Sequence, residues 1–114
     1  MSVSIISHNS DFGTTGQIFQ EDIPEIVAAG YQTVIDNRPD FEGGLDQPQH
    51  TDIEEAVKSA GLTFAYLPVI SGQITLAQVQ QMAELLDTLP KPILAFCRSG
   101  ARSTNLYQLA LQLG

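Results

Sequence analysis

The segment Ala95-Phe96-Cys97-Arg98-Ser99-Gly100-Ala101-Arg102-Ser103-Thr104 holds the only cysteine of the chain and two of its five basic residues, in a protein whose formal net charge is -8. A thiol at the end of an apolar run, just ahead of a helix, meets inward-turned backbone N–H groups and the positive end of the helix dipole. Gly100 permits the backbone angles that such a nest requires. Arg98 and Arg102 add fixed charge, and a guanidinium can grip a tetrahedral oxyanion through two parallel hydrogen bonds. The same field favours the thiolate, which in such surroundings forms with a pKa of about 3.5 to 7.5. These residue types predict a nucleophile, Cys97, and a seat for the anion it attacks, built from Arg98, Ser99, Gly100, Ala101 and Arg102. Ser103 either caps the following helix or donates to a departing thiolate. The plainer reading makes Cys97 a small core hydrophobe, which leaves two arginines unexplained in so acidic a chain.

A second polar run, Asp36-Asn37-Arg38-Pro39-Asp40, offers Arg38 as a further anion ligand and Asp40 or Asp36 as a proton donor. Each also suits a turn or a local ion pair around Pro39. Placing the two runs together requires a scaffold, and the patterning supplies one. Residues 20–29 carry Ile23, Ile26 and Val27 on one helical face, with Gly30 as a stop. Residues 31–37 read as a strand, β-branched at its centre. Residues 51–60 read as a helix with Thr51 as its cap, and 62–69 as the next strand. From Thr75 a helix sets Leu76, Val79, Met82, Leu86 and Leu89 on one face and stops at Pro90. Residues 92–96, Pro-Ile-Leu-Ala-Phe, form an apolar run suited to the centre of a parallel sheet. A last helix carries Leu106, Leu109, Ala110 and Leu113, and a β-like stretch falls within 3–18. The alternation predicts one α/β domain over 1–114, three-layered, with a mostly parallel central sheet flanked by helices. Ligands bind such sheets at the carboxyl ends of the strands, so Arg38 and Cys97 are expected on one rim.

Composition narrows the partners. Hydrophobic content of 43% with 16% charged residues fits an ordinary globular domain. The acidic balance argues against nucleic acid and anionic membrane and leaves a small anionic substrate as the expected partner. His8 and His50 form no ligand-spaced cluster, so neither a metal nor another cofactor is expected. A lone cysteine, no evident signal peptide and no long apolar run make the cytoplasm the expected location.

The cysteine loop, together with Thr15-Gly16-Gln17, Asp36-Asn37-Arg38-Pro39-Asp40, Gln47-Pro48 and Pro68-Val69, resembles the beta-lactamase-hydrolase-like phosphatase-like family from about residue 10 onward. That resemblance implies the cysteine-phosphatase fold of dual-specificity phosphatases, with Cys97, Arg102 and Ser103 in catalytic positions; some members are described as sulfur transferases. Phosphatases of that fold carry five residues between cysteine and arginine, whereas Cys97 and Arg102 are separated by four. The shorter loop is similar to that of rhodaneses, which carry a persulfide on cysteine. Such phosphatases also place an aspartic acid after the Tyr-Leu-Pro-Val strand, where this chain reads Ile70-Ser71-Gly72-Gln73. The resemblance therefore implies a hydrolase working through a phosphocysteine, with a rhodanese-type sulfur transferase as the alternative.

Overall fold

In the computed structural model, which describes residues 3–113, five strands form one sheet in the order β1-β2-β5-β3-β4. Strands β1 (Ile6–Asn9) and β2 (Phe12–Thr15) pair antiparallel, and account for the β-like stretch expected near the start. Strands β3 (Thr33–Asp36), β4 (Thr63–Tyr66) and β5 (Ile93–Phe96) are parallel to one another, and β2 is parallel to β5. The apolar run at 92–96 thus supplies the central strand, hydrogen-bonded on both sides.

Side chains alternate across a strand, so β5 feeds both faces. Ile93 and Ala95 join Phe12, Ile35, Val79, Met82 and Leu106 in a core beneath α3 (Leu76–Thr88) and α4 (Ala101–Leu113). Leu94 and Phe96 join Ile18, Ile26, Val34, Ile53 and Val57 beneath α1 (Ile23–Ala28) and α2 (His50–Ser59). The result is the three-layer α/β arrangement expected from sequence.

Local details differ. A 3-10 turn at Gln20–Asp22 precedes α1, because the Asp22 carboxylate accepts from the Phe19 amide and tightens the entry. Helix α2 starts at His50, with Gln49 rather than Thr51 at its cap; the Asp52 carboxylate accepts from the Gln49 amide. Thr75 does cap α3, its hydroxyl accepting from Gln78 N. Leu76 and Val27 fit the apolar periodicity but are exposed, each lying at a helix end beyond the edge of the core.

Candidate active site

The ends of β3 and β5 lie side by side, and their loops line one cleft of about 730 Å³ with Arg38, Glu42, Gly43, Ile70, Ser71, Cys97, Arg98, Ser99, Ala101 and Arg102 on its walls. Cys97 and Arg38 therefore share a rim. Cys97 is buried at the floor, and the Gly100 N–H points to its Sγ at 3.1 Å. Gly100 has φ of +95, and a side chain there would meet the Thr15 carbonyl at 3.3 Å, so glycine is required twice over. The end of β2 steadies the loop from outside: Gln17 N donates to Arg98 O at 3.2 Å, and Cys97 N approaches Thr15 O at 3.4 Å.

Burial by itself pushes the Cys97 thiol up, but the amides of Ser103, Ser99 and Gly100 and the Ser103 hydroxyl outweigh it and hold the thiol below its ordinary pKa. The hydroxyl has one proton, and it is shared. Ser103 Oγ donates to Asn37 Oδ1 at 2.8 Å, while Asn37 Nδ2 donates to Leu67 O at 2.8 Å, which fixes the amide's orientation. Asn37 is fully buried and ties the ends of β3 and β4 to the start of α4. When sulfur becomes anionic, turning the Ser103 proton from Asn37 to Sγ costs one hydrogen bond and gains a charge-assisted one.

Arg38 and Arg102 converge on Glu42, which lies on the same loop as Arg38 and across the cleft from Arg102. Arg102 donates from Nη1 to Val69 O at 2.9 Å and to Glu42 Oε2 at 2.9 Å, and from Nη2 to Glu42 Oε1 at 3.0 Å. Arg38 donates from Nε to Glu42 Oε1 and from Nη1 to Gln17 Oε1, both at 3.0 Å. The Arg102 guanidinium, with Arg38 after it, holds the Glu42 carboxyl below the usual range against the effect of its partial burial. Gln47 shapes the loop that carries Glu42, accepting from Gly43 N and donating to Pro39 O. Arg98 is exposed on the cleft wall, and its side chain has no hydrogen-bond partner among the described residues.

The expected acid lies elsewhere. Asp40 is not among the cleft-lining residues; its two oxygens take the His50 backbone amide at 2.7 Å and His50 Nδ1 at 2.6 Å, with the imidazole stacked on Tyr66. Asp36 lies buried below the rim, accepting from the Arg38 amide, and burial pushes its carboxyl up to about 7. The carboxylate that does line the cleft is Glu42, which sequence reading passed over. No spacing rule marked it, because i,i+4 pairing belongs to helices and residues 38–42 form a bend and a turn. Asn37 and Gln17 were visible only as neighbours of more reactive residues.

Residues 5–113 match the model of the beta-lactamase hydrolase-like protein, phosphatase-like domain. The chain belongs to that family. This phosphatase-like domain is 31% identical over 108 residues to a beta-lactamase hydrolase-like protein of Xylella fastidiosa strain Temecula1, covering 95% of the domain and 25% of the relative, so it spans about a quarter of that protein's length. A crystal structure of a candidate phosphatase from Neisseria meningitidis superposes with a TM-score of 0.84 at 31% identity, over 90% of the domain and 72% of that chain. A second candidate phosphatase, from Shewanella putrefaciens, has a TM-score of 0.82 at 20% identity, over 96% of the domain and 68% of that chain, a likeness of fold. Among the described residues no helix is long and apolar enough to cross a membrane.

Proposed function

We propose that this phosphatase-like domain is a cysteine-dependent hydrolase of a phosphate ester, working through a phosphocysteine on Cys97. The observation that carries the reading is the cleft floor, where a buried sulfur with a lowered pKa faces loop N–H groups and two arginines. In this mechanism the Cys97 thiolate attacks phosphorus, an S–P bond forms and the P–O bond to the leaving group breaks. Arg102, Arg38 and Arg98, with the amides of the 98–101 loop, stabilise the oxyanion as its charge redistributes. Water then attacks phosphorus, the S–P bond breaks, and inorganic phosphate leaves as the Ser103 hydroxyl turns toward the restored thiolate. Asp40 is assigned the holding of α2 through His50 rather than proton transfer, because its oxygens are already engaged. No other acid is assigned, so the leaving oxygen takes its proton from solvent. Leaving-group protonation contributes typically 10²–10⁴-fold, and aryl phosphates with acidic phenols are expected to turn over while alkyl phosphates barely react.

A second reading, sulfur transfer, is favoured by one observation: only four residues separate Cys97 from Arg102. A shorter nest offers fewer inward N–H groups and suits one sulfur atom better than a phosphoryl group. Here the thiolate attacks the outer sulfur of thiosulfate, the S–S bond of the donor breaks, sulfite leaves, and a thiol acceptor or cyanide removes the sulfur from the Cys97 persulfide. Mass spectrometry of the trapped protein decides between the two. A phosphoryl adduct on Cys97 with a steep leaving-group dependence supports hydrolysis; a stable persulfide without aryl-phosphate turnover overturns it in favour of sulfur transfer.

A further inference from the structure

The cleft already contains an anion of its own. Glu42 takes two hydrogen bonds from Arg102 and one from Arg38, so two of the three cleft arginines are engaged, and one of their two charges is offset, before anything binds. It is the only carboxylate among the cleft-lining residues. With Glu42 in place, Arg102 Nε is buried and has no hydrogen-bond partner among the described residues. A buried cationic N–H left unpaired is costly.

The segment that delivers Glu42 is itself strained. Phe41, the residue before it, has φ of 65, and is the only non-glycine with positive φ among the described residues. A bulky side chain in the left-handed region is a genuine outlier, held there only because its surroundings fix it. The strained tether weakens the clasp relative to its three charge-assisted bonds, and the clasp leaves one Arg102 donor unpaired.

We propose that Glu42 sets the affinity threshold of the site: its carboxylate is a resident competitor on Arg38 and Arg102, and a substrate oxyanion enters by displacing it. This rests on the anion-seat reading of the 97–102 loop and holds for a phosphate ester and for thiosulfate alike. A ligand that needs a minor, unclasped state has its apparent affinity lowered by the population of that state. The reduction is the same for every small anion, so ambient oxyanions are kept off. A substrate that joins its oxyanion to an apolar group recovers affinity on Phe41 and Ile70, both exposed, with Ile70 on the cleft wall and Phe41 next to Glu42. The site is therefore expected to prefer an oxyanion that carries an apolar substituent over an unsubstituted one with the same head group.

The test uses the whole domain in a Cys97→Ser background, which removes the chemistry and the thiolate charge. Calorimetric titration with tungstate, a tetrahedral oxyanion, is compared with and without Glu42→Gln, which keeps the side chain's length and removes its charge. A resident competitor holding the arginines nine-tenths of the time or more predicts tungstate binding tightened by about ten-fold or more. Glu42→Asp, still charged but too short to span both arginines, should fall between. Unchanged or weaker binding in Glu42→Gln would make Glu42 a strut that positions Arg102, and overturns the inference while leaving the anion seat intact. Absence of tungstate binding in every variant, with thermal melts showing each folded, overturns the anion seat and the inference together.

Discussion

Asn37 is the residue whose loss should reach furthest. Its side chain lies in full burial and makes two hydrogen bonds, to Leu67 O and from Ser103 Oγ, both at 2.8 Å. Asn37→Ala leaves the Leu67 carbonyl without its partner and frees the Ser103 hydroxyl, which has Cys97 Sγ as its remaining acceptor. A buried group left unpaired costs about 1–3 kcal/mol, so the variant is expected to lose about 1–3 kcal/mol from a total that for such domains is about 5–15 kcal/mol. Urea denaturation followed by circular dichroism measures the loss. A double-mutant cycle with Ser103→Ala isolates the shared bond, with an expected coupling of about 0.5–3 kcal/mol. The same variant should raise Cys97 reactivity toward iodoacetamide near neutral pH if the freed Ser103 proton turns to sulfur, provided the loop keeps its shape. A loss under about 1 kcal/mol, additive with Ser103→Ala, would refute the idea that Asn37 ties the sheet to the loop.

Other variants probe the charges directly. Alkylation of Cys97 against pH should show a midpoint below the free-thiol value of about 8.5, since the loop amides and the Ser103 hydroxyl outweigh burial; a midpoint at or above it would mean the loop does not activate sulfur. Arg102→Lys should lose most activity toward the best substrate found, because an ammonium cannot keep the bond to Val69 O and also grip an oxyanion through two parallel hydrogen bonds; full activity would remove Arg102 from the oxyanion's ligands. Asp36 titrates in the folded protein at about 7, against about 3.9 for an unfolded chain. Its neutral form is therefore the one the fold favours, and that contribution is complete below pH 4 and lost as pH rises through 7. Asp36→Asn, which keeps an acceptor for the Arg38 amide, should flatten the fall in urea midpoint between about pH 4 and 7; an unaltered slope would place the titration elsewhere.

The sheet was legible because its determinants are local and redundant. The run Ile93–Phe96 is apolar on both faces, as only a doubly covered strand can be. Periodicity overreached at Leu76 and Val27, where it identifies a face but not where the neighbouring layer ends. The reactive half of the site was readable for a similar reason: Cys97, Gly100 and Arg102 lie within six residues, and each is unusual where it stands. The other half was not. Arg102 and Glu42 are 60 positions apart, Ser103 and Asn37 are 66, and no spacing rule connects them before the fold does. Asp40 illustrates the same limit from the other side, since its acidity suggested chemistry until His50, ten positions on, was seen to occupy both oxygens.

The strand order has a consequence for how the chain reaches this state. β5 is the last strand in sequence, yet it lies between β2 and β3 and joins them. Until residues 93–96 are available, β1-β2 and β3-β4 are two separate ribbons, each with an inner edge of unpaired N–H and C=O groups and neither with a closed core. Assembly during synthesis must then wait until residues 93–96 emerge, and the missing strand closes contacts that are distant in sequence, a slow kind of step. A ribosome-bound chain stalled before residue 93 should be open to proteolysis along nearly its whole length, and its exposed strand edges should favour association with other chains. The residues that complete the sheet are followed at once by those that form the cleft floor, so protection of the strands and quenching of Cys97 reactivity toward bulky reagents should emerge in one step, late and together.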